Sequence, residues 1–460
     1  MSMSVDGLVS GMDTTSIING LMAAEAGPQN DLKTKLSATK DAASAYRTVN
    51  TTFLAITAAA DTALKPDIWT TTKATSSSST VAVSAAAGAL VGSLTFSVDQ
   101  LATSHAVTNR NTPGTWTAST SAYGASSIVV TDKAGASLGT IPIGGTQTLA
   151  DAAAAINASS LGLSAAVVQM SGTEVALQVT SKATGAASEF NLSGAGTVKT
   201  NTQGADALLS IGTMNKYTVS SATNTFTAVL PGTTFTVSKV DSAVPVTVSV
   251  VSDPDSVAAK MSALVDAVNA SGKAVKDYTS NATGSTAALK GDYSVSSLRS
   301  RLLDAVSSAV GKDGSPAQVG FSLKKDGTVV FDKVKFLAAL KDTPALAQRM
   351  ISTGTPGNDG ADGIAGTKDD VAAVPGIAAR LRAVAVSASD ATNGTLVALA
   401  NGKDSMIKDI QDRISAWDLR LAKRKETLTH QFTAMETALS SLKNQSSWLA
   451  GQINSLPRSS

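Results

Sequence analysis

At 460 residues, 43% hydrophobic and with a formal net charge of +2, the chain has material for about three packed domains and no surplus of basic charge to hold nucleic acid or an anionic membrane surface. The absence of cysteine excludes disulfides, thiolate metal sites and cysteine nucleophiles together. Aromatics at 4% leave the cores to Val, Leu, Ile and Ala, and the lack of a basic-then-apolar leader or a membrane-length apolar run reads as cytosolic, or as export without a cleaved signal.

The ends read as helix and the middle as sheet. Asp13 is an N-cap before Ile17, Leu21 and Ala24 at helical spacing, and Gly27-Pro28 interrupts that helix. Leu32, Leu36, Ala43, Tyr46, Val49, Phe53, Ile56, Ala60 and Leu64 form the apolar stripe of a second helix, stopped by Pro66. From about Trp69 the pattern changes. A polar linker at 76–79 precedes short alternating runs at 81–83, 94–98, 128–131, 175–180, 235–237 and 246–251, the pattern of antiparallel sheet. One Ala-rich helix, 149–157, breaks the series after Thr148.

Helix returns at Asp253, with Pro254 in its first turn and Met261, Leu264, Val265, Val268, Val275 and Tyr278 on one face. Residues 294–310 read as a further helix. Residues 320–331 read as a β-hairpin turning at Lys325-Asp326-Gly327. Residues 333–340 are helical, closed before Pro344, and a Gly/Asp-rich loop runs over 354–375.

The last helix carries the strongest signal. Ile407, Ile414, Leu421, Leu428, Met435, Leu442, Leu449 and Leu456 lie seven apart without a miss. Ile410 and Trp417 follow their heptad partners by three residues, whereas Phe432, Leu439 and Ile453 follow theirs by four. The stripe therefore shifts phase near Arg424, where the helix is expected to change partner or stutter. A helix from Ile407 to Leu456 spans about 74 Å, longer than any globular core. Either it folds back as an intramolecular hairpin, or it is a stalk packing on the chain's own N-terminal helix and on neighbouring copies.

Catalytic chemistry finds no footing. The two histidines, His105 in a strand-to-loop region and His430 in the heptad helix, form no metal pair. Gly135-Ala136-Ser137-Leu138-Gly139 matches G-x-S-x-G, but its only downstream histidine is the remote His430. No phosphate-binding glycine motif is present, so no enzyme, cofactor or catalytic residue is expected. The loop Gly357-Asn358-Asp359-Gly360-Ala361-Asp362-Gly363 is like one turn of a calcium repeat, which makes Asp359, Asp362, Asp369 and Asp370 calcium candidates. Gly with Asp is also ordinary surface-loop chemistry.

Five stretches, in order, resemble the flagellar filament-capping proteins (the hook-associated protein 2 family). The first is Gly7-Leu8-Val9-Ser10-Gly11-Met12-Asp13 with Ile17-Ile18 and Leu21-Met22-Ala23-Ala24-Glu25. Thr148-Leu149 through Ile156-Asn157, with Leu177, Ser181 and Thr184-Gly185, is similar to a motif shared among flagellin and hook-associated proteins. Ala288-Leu289-Lys290-Gly291-Asp292 with Leu298-Arg299 follows, then Gly320-Phe321-Ser322-Leu323 with Asp326-Gly327-Thr328 and Phe331-Asp332. The last pairs Gln431-Phe432-Thr433-Ala434-Met435-Glu436 with Gln445-Ser446-Ser447-Trp448-Leu449. The 354–375 loop departs from the family pattern.

The resemblance implies an α+β multidomain protein, a coiled-coil leg carrying inserted antiparallel β-rich heads. The expected division is a leg of 1–44 with 425–460, a helical bundle of 45–72 with 253–424, a head of 73–104 with 180–252, and an inserted head of 105–179. It implies a structural cap at the distal tip of the bacterial flagellum that promotes flagellin polymerisation and prevents leakage of monomers. The implied partners are further copies in a pentamer-like ring, flagellin, hook–filament junction proteins and an export chaperone at the C-terminal helix, with no nucleic acid and no membrane insertion. Export runs through the flagellar type III route. The self-association seam would be Ile407, Ile410, Ile414, Trp417, Leu421, Leu428, Phe432, Met435, Leu439, Leu442, Leu449, Ile453 and Leu456. Two other readings stay open, a hook–filament junction protein and a tip adhesin binding mucin or host glycans.

Overall fold

The computed structural model describes residues 11–111, 115–212, 214–227, 229–357 and 372–454. Its α-helices are α1 (Thr14–Glu25), α2 (Gly27–Leu64), α3 (Leu149–Ala158), α4 (Pro254–Thr279), α5 (Tyr293–Ser307), α6 (Lys333–Asp342), α7 (Pro344–Gln348), α8 (Ile377–Ser389) and α9 (Thr395–Asn454). The strands begin with β1 (Thr72–Ser76), β2 (Val81–Ala85), β3 (Gly92–Gln100), β4 (Ser104–Arg110), β5 (Ser127–Asp132), β6 (Ser137–Pro142), β7 (Leu163–Ser171) and β8 (Glu174–Thr184). They continue with β9 (Phe190–Ser193), β10 (Thr197–Thr202), β11 (Ala207–Ile211), β12 (Tyr217–Ser221), β13 (Thr225–Phe226), β14 (Thr233–Val237) and β15 (Asp241–Ser252). A separate hairpin is β16 (Phe321–Leu323) with β17 (Val329–Phe331). Helical ends around an antiparallel middle make this an α+β protein, as the sequence predicts. Two compact units result, residues 65–257 and residues 1–64 with 258–460.

Residues 65–257 hold two cores. The first lies between the sheet ordered β1-β15-β3-β11-β12 and the sheet β13-β14-β2, where Phe96 stacks on Phe235 with centroids 5.6 Å apart. Alternate residues of β3 point inward, so Phe96 and Val98 are fully buried. The second joins the sheets β10-β4-β8-β7 and β6-β5-β9 to α3 around Trp116, Tyr123, Ile128, Leu149, Ile156 and Leu177. Strands β9 and β10 complete this core, pairing with β5 and β4.

Helix α3 starts on a capping box, Thr148 with Asp151, which satisfies two otherwise unpaired backbone donors. Its C-terminal Ile156-Asn157 has a clear physical role. Ile156 is buried, while Asn157 donates to the Ala165 carbonyl and accepts from the Ala165 N–H, each at 2.8 Å, fastening the helix end to β7.

Some expectations for this region need correction. Residues 76–79 form no linker: Ser76 ends β1, and the Ser76 hydroxyl accepts from the Ser78 N–H at 3.2 Å in the turn to β2. His105 is the second residue of β4, next to the 101–103 loop, buried edge-on to Phe190 with its Nδ1 accepting from the Gly204 N–H. The G-x-S-x-G string leaves the β5–β6 turn, where Gly135 has φ 89°, and continues as the first residues of β6, Ser137 to Gly139.

In the other unit α2 is the central helix. Ala43, Tyr46, Val49, Phe53, Ile56 and Ala60 of its predicted stripe are buried, against α8 and α9. Asp13 caps α1 as expected, its Oδ1 accepting from the Ser16 N–H at 2.8 Å. The predicted hairpin pairs Phe321 with Phe331, and Asn269 of α4 docks it by donating to the Val329 carbonyl and accepting from its N–H. Residues 344–353 and 376–394 carry no element in the sequence reading, yet they form α7, a π-helical turn (Arg349–Thr353) and α8. The base of the Gly/Asp-rich loop is closed by pairing of Thr355 with Val374. The calcium candidates Asp359, Asp362, Asp369 and Asp370 lie outside the described residues.

Candidate assembly site

Helix α9 is 60 residues long, about 90 Å at the usual rise. It begins at Thr395, a dozen residues before the first heptad position, and runs antiparallel to α2. The cross-links fix the register: Arg47 pairs with Asp404, and Gln29 Nε2 donates to Asp418 Oδ1 at 2.5 Å. Six residues further along α9, Arg424 Nε meets Glu25 Oε1 at 2.9 Å, at the last residue of α1.

That ion pair stands where the heptad pattern changes phase. Pro28 has no N–H to bond back to residue 24, so α1 ends at Glu25 and α2 restarts at Gly27. Before Arg424 the seam of α9 faces α2, and beyond it the seam faces α1. The companion spacing changes from three to four where the partner of α9 changes from α2 to α1. Both α2 and α9 run unbroken through 44/45 and 424/425.

Of the predicted seam, Ile410 and Leu428 are buried. Ile407, Ile414, Trp417, Leu421, Phe432, Met435 and Leu439 are half-buried. Ile18 of α1 is buried within the segment that packs on α9. Past Ser440 every residue of 441–453 is exposed. Leu442 is 60%, Leu449 54% and Ile453 60% exposed, so the seam continues beyond its last helical partner within the described residues. Leu456 lies outside the described residues.

Gln29, Ala385 and Ala388 escaped the sequence reading as participants. Buried Gln29 is a polar residue whose partner lies 389 positions away, which no local pattern announces. Ala385 and Ala388 of α8 press small faces on the bundle, and only their four-and-three spacing hints at it. Trp448 is 66% exposed off the heptad positions. Among the described residues there is no cluster of three metal-ligating side chains and no helix long and apolar enough to cross a membrane.

Paired terminal helices ending in an exposed apolar stripe, with β-rich sequence inserted between them, are the architecture of an assembly protein. Family models make the class particular. The model of the flagellar hook-associated protein 2 C-terminus matches residues 204–444, and that of the N-terminus matches residues 10–105. The chain belongs to the flagellar hook-associated protein 2 family, a structural and non-enzymatic one.

The A-type flagellar hook-associated protein 2 of Pseudomonas aeruginosa is 28% identical over 253 residues, 52% of this chain and 48% of that protein. The flagellar hook-associated protein 2 of Escherichia coli (strain K12) is 26% identical over 195 residues, 42% of each. The chain thus spans about half the length of the curated relatives it matches. The D1-D2-D3 domains of the Escherichia coli flagellar cap protein FliD share the fold, with a TM-score of 0.60 at 22% identity over 78% of this chain and 99% of that one.

Proposed function

We propose that this chain caps the distal tip of the bacterial flagellar filament, promoting flagellin polymerisation and holding back exported monomers. The family supports this reading, and one observation carries it: the apolar seam of α9 outruns its intrachain cover at Leu442, Leu449 and Ile453. An apolar stripe of that kind is stable in water only when another chain covers it. Further copies in a pentamer-like ring, together with flagellin, are the partners that answer to it. Hook–filament junction proteins and an export chaperone on the C-terminal helix complete the proposed set.

In this reading residues 1–44 with 425–460 are the leg and residues 45–72 with 253–424 the bundle. Residues 73–104 with 203–252 and residues 105–202 are the two heads, the second running on past 179 because β8, β9 and β10 belong to its core. The seam is built from medium-sized Leu, Ile and Met with few aromatic anchors, so its contacts are numerous and individually weak, as stepping along a growing filament requires. The test is electron microscopy of a strain lacking the chain. Short or absent filaments with monomeric flagellin in the medium are expected. Filaments of normal length end the cap assignment.

A further inference from the structure

The paired helices α2 and α9 carry a second, separate feature on their outer side. Pro28, Leu32, Ala416 and Trp417 floor a groove of about 450 Å³ running along the two helices. The residues from each helix fall at three-, four- and seven-residue spacing, so each contributes one stripe about two turns long. Two such stripes, each with two apolar residues flanked by charged ones, leave a trough that is the seat of a third helix, the geometry of ridges in a groove.

The charges select what that helix must be. The rim carries Arg413 and Arg420 on the α9 side, and Lys35 with Asp31 on the α2 side. Three cations face one carboxylate. Arg413 shares an exposed ion pair with Asp409 at 3.1 Å, a contact of little strength in water. Arg420 and Lys35 have no ion-pair partner among the described residues, and the Arg420 guanidinium lies 4.6 Å over the Trp417 ring. That placement holds a cation at the edge of an apolar floor, ready for a carboxylate arriving with an apolar helix.

We infer that the α2–α9 groove binds an amphipathic helix of another polypeptide, with an apolar stripe seated on Leu32 and Trp417 and carboxylates about seven residues apart facing Arg413 and Arg420. A second copy of this chain, whose α9 carries Asp404, Asp412, Asp418 and Glu426 at six- to eight-residue spacing, is the alternative occupant that the experiment separates. Trp417 is the kind of half-buried aromatic that anchors such a contact. The inference names a partner class for the assembly surface and rests on the assembly reading only in that respect.

The test uses the full chain and two synthetic helical peptides, each with a Leu/Ala stripe, one flanked by Glu and the other by Lys, followed by fluorescence anisotropy. The Glu peptide is expected to bind at least about tenfold more tightly than the Lys peptide. Trp417→Ala is expected to weaken it about tenfold or more, Trp417→Phe to keep it within a few-fold, and Arg413→Glu with Arg420→Glu to reverse the preference. Far-UV circular dichroism checks that the variants stay folded. Equal binding of the two peptides, or full binding by the folded Trp417→Ala chain, overturns the inference. So does an unbound Glu peptide combined with loss of the chain's own oligomer in Trp417→Ala, which assigns the groove to a second copy. The strain lacking the chain tests the cap reading independently, so a failed titration beside stunted filaments removes the groove and leaves the cap.

Discussion

The Tyr46 hydroxyl donates a 2.6 Å hydrogen bond to Asp292 Oδ2, tying the buried stripe of α2 to the N-cap of α5. Burial first, and the Asp292 carboxylate second, push the Tyr46 phenol well above its ordinary value. The folded pKa is therefore above the unfolded one of about 10, so the contribution to stability is whole below that pH and is lost as pH rises past it. Tyr46→Phe is expected to cost about 1.5–3 kcal/mol at neutral pH, the worth of a hydrogen bond to a charged group. Urea unfolding should show the gap between the two proteins narrowing above about pH 10. A gap that stays constant into alkali removes this account.

Acid acts on a different clamp. Asp313 accepts from Arg349 Nε at 3.0 Å and Nη2 at 2.8 Å, and from the Thr355 hydroxyl at 2.8 Å, holding the π-helical turn and the base of the 354–375 loop. The Arg349 hydrogen bonds, and after them that of Thr355, keep the Asp313 carboxyl below the usual range against the opposing pull of burial. Its stabilisation is complete above the unfolded carboxyl pKa of about 4 and is lost as pH falls through the lower, folded value. Asp313→Asn is expected to cost about 1.5–3 kcal/mol at pH 7, with the loss fading in acid. Denaturant midpoints from pH 7 down to 3 check it, and an equal loss at both ends contradicts it.

What the sequence could and could not tell follows from how far apart the causes lie. The stripe of α2, the cap Asp13, the hairpin turn at Asp326-Gly327 and the phase change at Arg424 are local patterns, and each was legible. Helix α8 was not. Ile377, Leu381, Ala385 and Ala388 are buried, yet alanine is a weak marker of a buried face and the run follows a Gly/Asp-rich loop. The tie of Gln29 to Asp418 and the cationic rim above Trp417 depend on two helices meeting 389 residues apart, which periodicity in one helix cannot encode. The heptads did reveal a seam, but not where its cover ends, because periodicity within α9 carries no mark of how far its partners extend.

Gly320 and Gly284 separate two costs that a glycine can hide. Both have positive φ, 83° and 79°. A Cβ on Gly320 would collide with the Asp332 carbonyl oxygen, whose residue caps α6, whereas a Cβ on Gly284 meets nothing within 4 Å. Gly284→Ala is therefore expected to cost about 1 kcal/mol, the left-handed backbone alone. Gly320→Ala is expected to cost about 3 kcal/mol or more, because the hairpin must also move off α6. Equal shifts of the urea midpoint would show that the collision is relieved without cost.

The seam of α9 makes the sharpest demand on the cap reading. Arg424 and Ser446 stand at the companion positions of Leu421 and Leu442, where the stripe elsewhere carries apolar residues. Replacing both by Leu removes only a half-exposed ion pair inside the chain, which costs about 1 kcal/mol at most. It also joins the interrupted seam into one continuous surface. Sedimentation is expected to show tighter self-association, and filaments grown with the double variant are expected to be shorter, because a leg that grips harder steps less often. Tighter association with unchanged filament length would refute the idea that weak, divided contacts matter. Removing residues 425–460 acts in the opposite direction. The stripe of α2 keeps its cover from α8 and from α9 before Arg424, while Ile18 of α1 loses its own. The remaining bundle is expected to unfold within about 4 °C of the full chain, folded and soluble but unable to cap. A truncated chain that still supports full-length filaments would move the assembly surface away from the bare end of α9.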